Sequence, residues 1–141
     1  MPGKSDYLES GILNHVFRAV AFPTIPAAVF ISLHTADPLD AGTGAEVSTT
    51  GTAYARASVT RAVGAFAAPT DNAGSQQTSN SAAITYATAT ANWGTVTHVG
   101  VQDAVTAGNL LYSAALTTSR TINNGDVTPS FAIGALTVQE S

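Results

Sequence analysis

Residues Ser81–Leu116 read SAAITYATATANWGTVTHVGVQDAVTAGNLLYSAAL, and their pattern decides the fold. Short runs rich in Val, Ile, Thr, Tyr and Trp alternate with turn-forming Gly, Asn and Asp about every ten residues, which predicts three successive β-strands. Side chains alternate between the two faces of a strand. The first run therefore groups Ala82, Ile84 and Tyr86 against Ala83, Thr85 and Ala87. The second groups Trp93, Thr95, Thr97, Val99 and Val101 against Val96, His98 and Gly100, and the third sets Leu110, Tyr112, Ala114 and Leu116 against Leu111, Ser113 and Ala115. The stretch Asp103–Asn109, with Gly108 in it, is short enough to join the last two runs as a hairpin. The expectation is an antiparallel meander, with nothing catalytic in it.

Upstream, the spacing predicts one helix from Ser5 to about Ala21. Leu8, Ile12, Val16 and Val20 recur every four residues, with Leu13 and Phe17 beside them, and form a single apolar stripe. Asp6 reads as the N-cap with Glu9 as its capping-box partner, and Pro23 ends the pattern. Gly11 costs this helix about 1 kcal/mol relative to alanine, so it needs a surface to pack on. That surface is either one side of the chain's own sheet or a neighbouring subunit. Pro23 and Pro26 lead stiffly into a core strand, Ala28–His34, with Val29, Ile31 and Leu33 facing inward. Thr35–Ala53, rich in Asp, Gly, Thr and Pro, reads as a long surface loop, and loops of that length often have a binding role. Tyr54–Arg61 alternates as a strand that Ala62–Ala67 extends towards Phe66, and Thr70–Asn80 (TDNAGSQQTSN) reads as a second polar loop.

Downstream, the Asn124-Gly125 pair signals a tight turn. The last strand begins near Pro129 with Phe131 and Ile133 inward, then Leu136 and Val138. The parity changes at Gly134, which predicts a β-bulge there. With roughly seven or eight strands, the fold class is mainly β: an antiparallel β-sandwich or jelly-roll-like domain with one N-terminal α-helix. Residues 1–27 supply the arm and helix and residues 28–141 the β-sandwich, packed as a single unit.

A chain of 141 residues can bury a core without metal or disulfide staples. The absence of cysteine excludes thiol catalysis and thiolate metal sites. Charged residues make up 10% of the chain, against about 25% in ordinary soluble domains, so much of the surface is suited to packing against other subunits. A net charge of −4 argues against nucleic acid as a partner. Arg18, Pro23 and Pro26 interrupt the one candidate apolar run, so no membrane span is expected, and MPGKSDYLES lacks the apolar core of a signal peptide.

His34 with Asp37 and a nearby His98 is the one conceivable metal set, but its spacing matches no zinc signature; no metal or other cofactor is expected. There is no G-x-S-x-G elbow for a nucleophile. Asp37, Asp40, Glu46, Asp71, Asp103 and Asp126 all fall in turns, where Asp serves its own backbone. No catalytic residue and no enzymatic activity are expected. Arg56 and Arg61 read either as two solvent-facing side chains or, because their opposite parity puts them on different faces of one strand, as a pair of which at least one enters an interface. His15 and Arg18 lie away from the centre of the helix stripe, placed to meet an acidic neighbour. The candidate interface set is Leu8, Ile12, Val16, Arg18, His34, Asp37 and Arg56.

Taken together, LHTADP (Leu33–Pro38), AYARASV (Ala53–Val59), ITYATATANWGTVTHVGV (Ile84–Val101) and GNLLYSAAL (Gly108–Leu116) resemble a group of small tailed-phage virion proteins, often labelled tail fibre protein or structural protein. The resemblance runs from about Ala28 to Val138, with Ala53 standing where glycine is expected. It implies a particle component with a structural role. A fibre shaft would show repeats or heptads, which this sequence lacks. The expectation is therefore a capsid decoration, or cement, protein on the virion surface: a homotrimer that bridges major capsid protein subunits through its helix and Met1–Ser10 arm or through the Thr35–Ala53 loop. The alternative is a tail fibre, baseplate or head-fibre component that binds another virion protein or a host-surface glycan. Tyr7, Tyr54, Trp93 and Tyr112 are the aromatic candidates for glycan binding, although their alternation points to packing.

Overall fold

The computed structural model describes residues 3–127 and 129–140; Met1 and Pro2 of the expected arm lie outside the described residues. The elements run β1 (Gly3–Lys4), α1 (Asp6–Arg18), β2 (Ala28–His34), β3 (Ala57–Thr60), β4 (Thr70–Asn72), β5 (Ser75–Ser79), β6 (Ile84–Thr85), β7 (Gly94–Gln102), β8 (Leu110–Ile122), β9 (Ser130–Phe131) and β10 (Thr137–Glu140). They form a five-stranded sheet in the order β1-β8-β7-β2-β3, a three-stranded sheet β10-β5-β4 and a pair β6-β9. All pairings between these strands are antiparallel. The mainly β, antiparallel architecture with one helix near the N-terminus is the one the alternation predicts.

The large sheet turns Val29, Ile31, Leu33, Val96, Val99 and Val101 into the core, and Ile84, Tyr86 and Leu136 meet them from the smaller sheets and their connections. Each such aliphatic side chain contributes about 1.5–3 kcal/mol through burial. Tyr54, Tyr86 and Trp93 pack together, with Tyr54 and Trp93 edge to face at 5.3 Å. Their polar atoms stay satisfied: Trp93 Nε1 donates to the Thr52 carbonyl at 2.8 Å and the Tyr86 hydroxyl to that of Ile31 at 3.0 Å.

The expected meander forms only in part. β7 and β8 make the hairpin, and Asp103 ties its loop by accepting from the Asn109 backbone and side chain. The first run shortens to β6, which pairs with β9 rather than β7, although Ile84 and Tyr86 do face the core. Parity in β7 also changes. Val96 pairs with Arg120 and His98 with Ala115, so Thr97 stands alone opposite residues 116–119 of β8. That irregularity turns Val96 to the same core as Val99, which strict alternation forbids, and leaves Thr95 exposed.

Three further expectations are corrected. Gly134 makes a turn between strands of different sheets instead of a bulge in one strand: its N–H donates to the Asn80 carbonyl at 2.9 Å, and Ile133 points into solvent. The segment 62–67 does not continue β3, which stops at Thr60, and Val63 is exposed. Thr70–Asn80 is a hairpin, β4–β5, and not a loop. Ala73 and Gly74 turn it with φ of 53° and 89°, the pair of positive values that a type I′ hairpin turn requires. Both its faces are polar, so no hydrophobic alternation marks it.

The helix starts one residue earlier than the Asp6 cap implies. Ser5 is the N-cap, its Oγ accepting from the Leu8 N–H at 3.3 Å, so Glu9 is not at the capping-box position. The same Ser5 ties the helix to β8, its N–H donating to the Leu111 carbonyl at 2.9 Å and its hydroxyl to that of Leu110. The helix ends at Arg18, before Ala21, because Ala19 turns left-handed and the Val20 N–H closes back on the Asn14 carbonyl.

Candidate interaction surface

Only the start of α1 rests on the domain. Leu8 and Gly11 are buried and Ile12 is half-buried. Gly11 lets the chain fold back along the helix, since a Cβ there would meet the Pro23 ring at 3.0 Å. At about 100° per residue, Leu13 and Phe17 point to the side opposite Leu8 and Gly11, and Val16 lies on the flank between; Val20 follows the left-handed turn at Ala19, beyond the helix. Leu13, Val16, Phe17 and Val20 stand 57%, 63%, 78% and 47% exposed. The stripe therefore does not cover the chain's own sheet along its length. Beside it, Arg18 donates to Asn14 Oδ1 at 2.9 Å, and His15 Nδ1 donates to the Val20 carbonyl at 3.1 Å with its ring edge-on to Phe22.

On the domain itself, an open cleft of about 410 Å³ separates the five-stranded sheet from the three-stranded one. Its walls include Val29, Val101 and Leu111 from the five-stranded sheet, Val138 from the three-stranded one, and Phe22 and Phe66 from the connections. Glu140 stands at its rim, ion-paired to Lys4 at 2.7 Å and hydrogen-bonded to the Tyr112 hydroxyl. Burial first, then the neighbouring carboxylate, pushes the Tyr112 phenol up.

A second cluster gathers around the Thr35–Ala53 loop. The His34 ring is 1% exposed, with Nδ1 donating to the Gly44 carbonyl at 3.0 Å and Nε2 facing the Ser32 hydroxyl at 2.8 Å. Burial holds its pKa below the ordinary imidazole value. Arg56 grips Glu46 at two points and donates to the Ala104 and Ala107 carbonyls at 2.7 and 2.8 Å. Burial pushes the Glu46 carboxyl up, but the Arg56 hydrogen bond and charge outweigh it and leave the pKa lowered. Tyr54 completes the cluster, donating its hydroxyl to Glu46 and accepting from the Leu33 N–H.

The structure thus brings His34 and Arg56 into one internal network and leaves Asp37 apart. Asp37 Oδ1 accepts from the Leu39 N–H at 2.9 Å, beside a polar hollow of about 280 Å³ shared with Asp40 and His98. Among the described residues, no group of three or more His, Asp or Glu is placed to hold a metal ion. No helix among them is long and apolar enough to cross a membrane. The sequence reading missed Glu46 as the partner of Arg56, because the two, ten residues apart, meet across a loop, and it missed Ser32 as the partner of His34, although the two-residue spacing in β2 puts both on one face.

An antiparallel β-domain whose buried ionisable groups are tied into internal clasps, and whose free surfaces are an apolar helix face and an apolar cleft, is a structural or binding module. The chain belongs to the family described as Podophage GP4 fiber I protein gp80, whose model matches residues 3–139. It is accordingly a structural protein of a tailed-phage virion. A search of the curated proteins finds no match. The family match gives no support to capsid decoration, and of the two expectations the fibre reading fits it better.

Proposed function

We propose that the chain is a fibre component at the virion surface, assembling by protein–protein contact through the outward half of α1. The observation that carries this reading is the run Leu13, Val16, Phe17 and Val20, apolar, exposed and turned away from its own domain. A continuous face of that kind marks an interaction site. The fibre family supports the placement. A glycan-binding role has less support: Tyr54 and Trp93 are core residues, while Tyr7 and Tyr112 pack against the core. Contact with other virion proteins, in a homotrimer, is the assembly this reading favours, with no catalytic step required.

Electron microscopy of intact virions carrying gold-labelled antibody against the chain tests the placement. Label on fibres or the tail supports the reading. Label spread evenly over the head would return the protein to the shell.

A further inference from the structure

Two features of this chain are unsatisfied in an isolated copy: the projecting apolar helix face and the open apolar cleft between the sheets. We propose that they are partners, so that the outward face of α1 in one copy seats in the cleft of the next. This names the second surface and the occupant for the fibre assembly proposed above, and it rests on that reading.

The helix cannot fill its own cleft. Leu8 and Phe22, from the helix and the connection after it, already form part of the cleft wall. Leu13 and Phe17 lie on the opposite side of α1 from Leu8 and Gly11, with Val16 on its flank and Val20 just past its end. Only another chain can present such a face to the opening. The sizes agree. A cavity of about 150 Å³ takes up one benzene ring, so the cleft has room for two or more side chains of the size of Phe17 and Val16. Leu13, Val16, Phe17 and Val20 leave on the order of 400 Å² exposed, which at the roughly 65% apolar share of subunit interfaces corresponds to about 600 Å² per partner, the lower edge of a standard specific interface. With charged residues only 10% of the chain, few charges oppose the contact.

A contact between two different patches is head-to-tail. It produces a closed ring if the rotation closes, as in a trimer, and a filament if it does not. This separates it from a symmetric pairing of two helix faces, in which the cleft plays no part.

The test uses light scattering on the full chain with complementary variants. Phe17→Asp removes the projecting side chain, and Gln76→Trp, from an exposed position lining the cleft, blocks the opening. The wild type is expected to assemble to three or more chain masses, and each variant alone to stay at one. Their mixture is expected to give two chain masses, since only one intact face and one intact cleft remain. Val138→Phe, from the neighbouring strand of the same wall, blocks the cleft if Gln76→Trp fails to fold by circular dichroism. Folded cleft variants that assemble like the wild type, or a mixture that stays at one chain mass, overturn the proposal. So does a wild type that remains monomeric at every concentration. Those failures leave the fibre placement standing, because it is decided separately by the gold label on virions.

Discussion

Arg56 and Glu46 form a two-point ion pair, Nε to Oε1 at 2.8 Å and Nη2 to Oε2 at 2.7 Å, where three segments of the chain meet. The same guanidinium bonds the carbonyls of Ala104 and Ala107 in the β7–β8 loop. The planar fork matches a carboxylate in a way that an ammonium does not.

Replacing Arg56 by alanine strands a half-buried carboxylate and two carbonyls. The expected loss is about 2–3 kcal/mol, read from urea unfolding. Arg56→Lys keeps the charge but not the fork and is expected to recover less than half of that loss. Full recovery by lysine would mean that charge alone holds the loops.

His34 gives the fold a pH dependence of known sign. Burial lowers its pKa from the ordinary 6.5, the hydrogen bond to the Gly44 carbonyl and then the Glu46 charge act in the opposite sense, and Arg56 and His98 add to the lowering. The folded state therefore binds fewer protons than the unfolded one. The resulting stability is complete above pH 6.5 and is lost as the pH falls from there through the folded-state value. Glu46, also lowered, adds its own loss only below its ordinary 4.5. Urea midpoints measured against pH should fall just below pH 6.5 in the wild type and stay flatter in His34→Gln. Parallel curves would assign the slope to another group.

Gly44 sits where the loop passes closest to itself. A Cβ there would lie 2.2 Å from the Asp37 carbonyl oxygen and 2.5 Å from Pro38 Cα, both backbone atoms. Since Gly44 also supplies the carbonyl that His34 bonds, Gly44→Ala is expected to displace the loop and cost about 2–4 kcal/mol in thermal or urea unfolding. A change of less than half a kcal/mol would show that the loop moves aside freely.

What the sequence made legible follows from what alternation can express. Val29, Ile31 and Leu33 in β2 share one apolar face, and β7 and β8 are joined by a short loop containing Gly108, so both that face and that hairpin are legible. The β4–β5 hairpin is polar on both faces, so its register comes from the Ala73-Gly74 turn and backbone pairing alone. Thr97 hid the true face of Val96 because an irregularity leaves no mark in composition. The helix stripe was visible, but its direction was not: Leu8 alone among its apolar members turns fully inward, and that is set by the Ser5 tie to β8.

That division within one helix gives the final prediction. Leu8 is 6% exposed and lines the cleft, so Leu8→Ala should destabilise the domain by about 2–3 kcal/mol. Val16 is an outward residue on the same helix, and Val16→Asp should leave the unfolding free energy within about 0.5 kcal/mol of the wild type. Its effect should appear instead as lost incorporation into virions, measured by the amount of the chain in purified particles. A Val16→Asp protein that unfolds as readily as Leu8→Ala would place the whole stripe in the core. Normal incorporation of a folded Val16→Asp chain would remove α1 from the attachment surface and leave the cleft and the polar loops to be tested in its place.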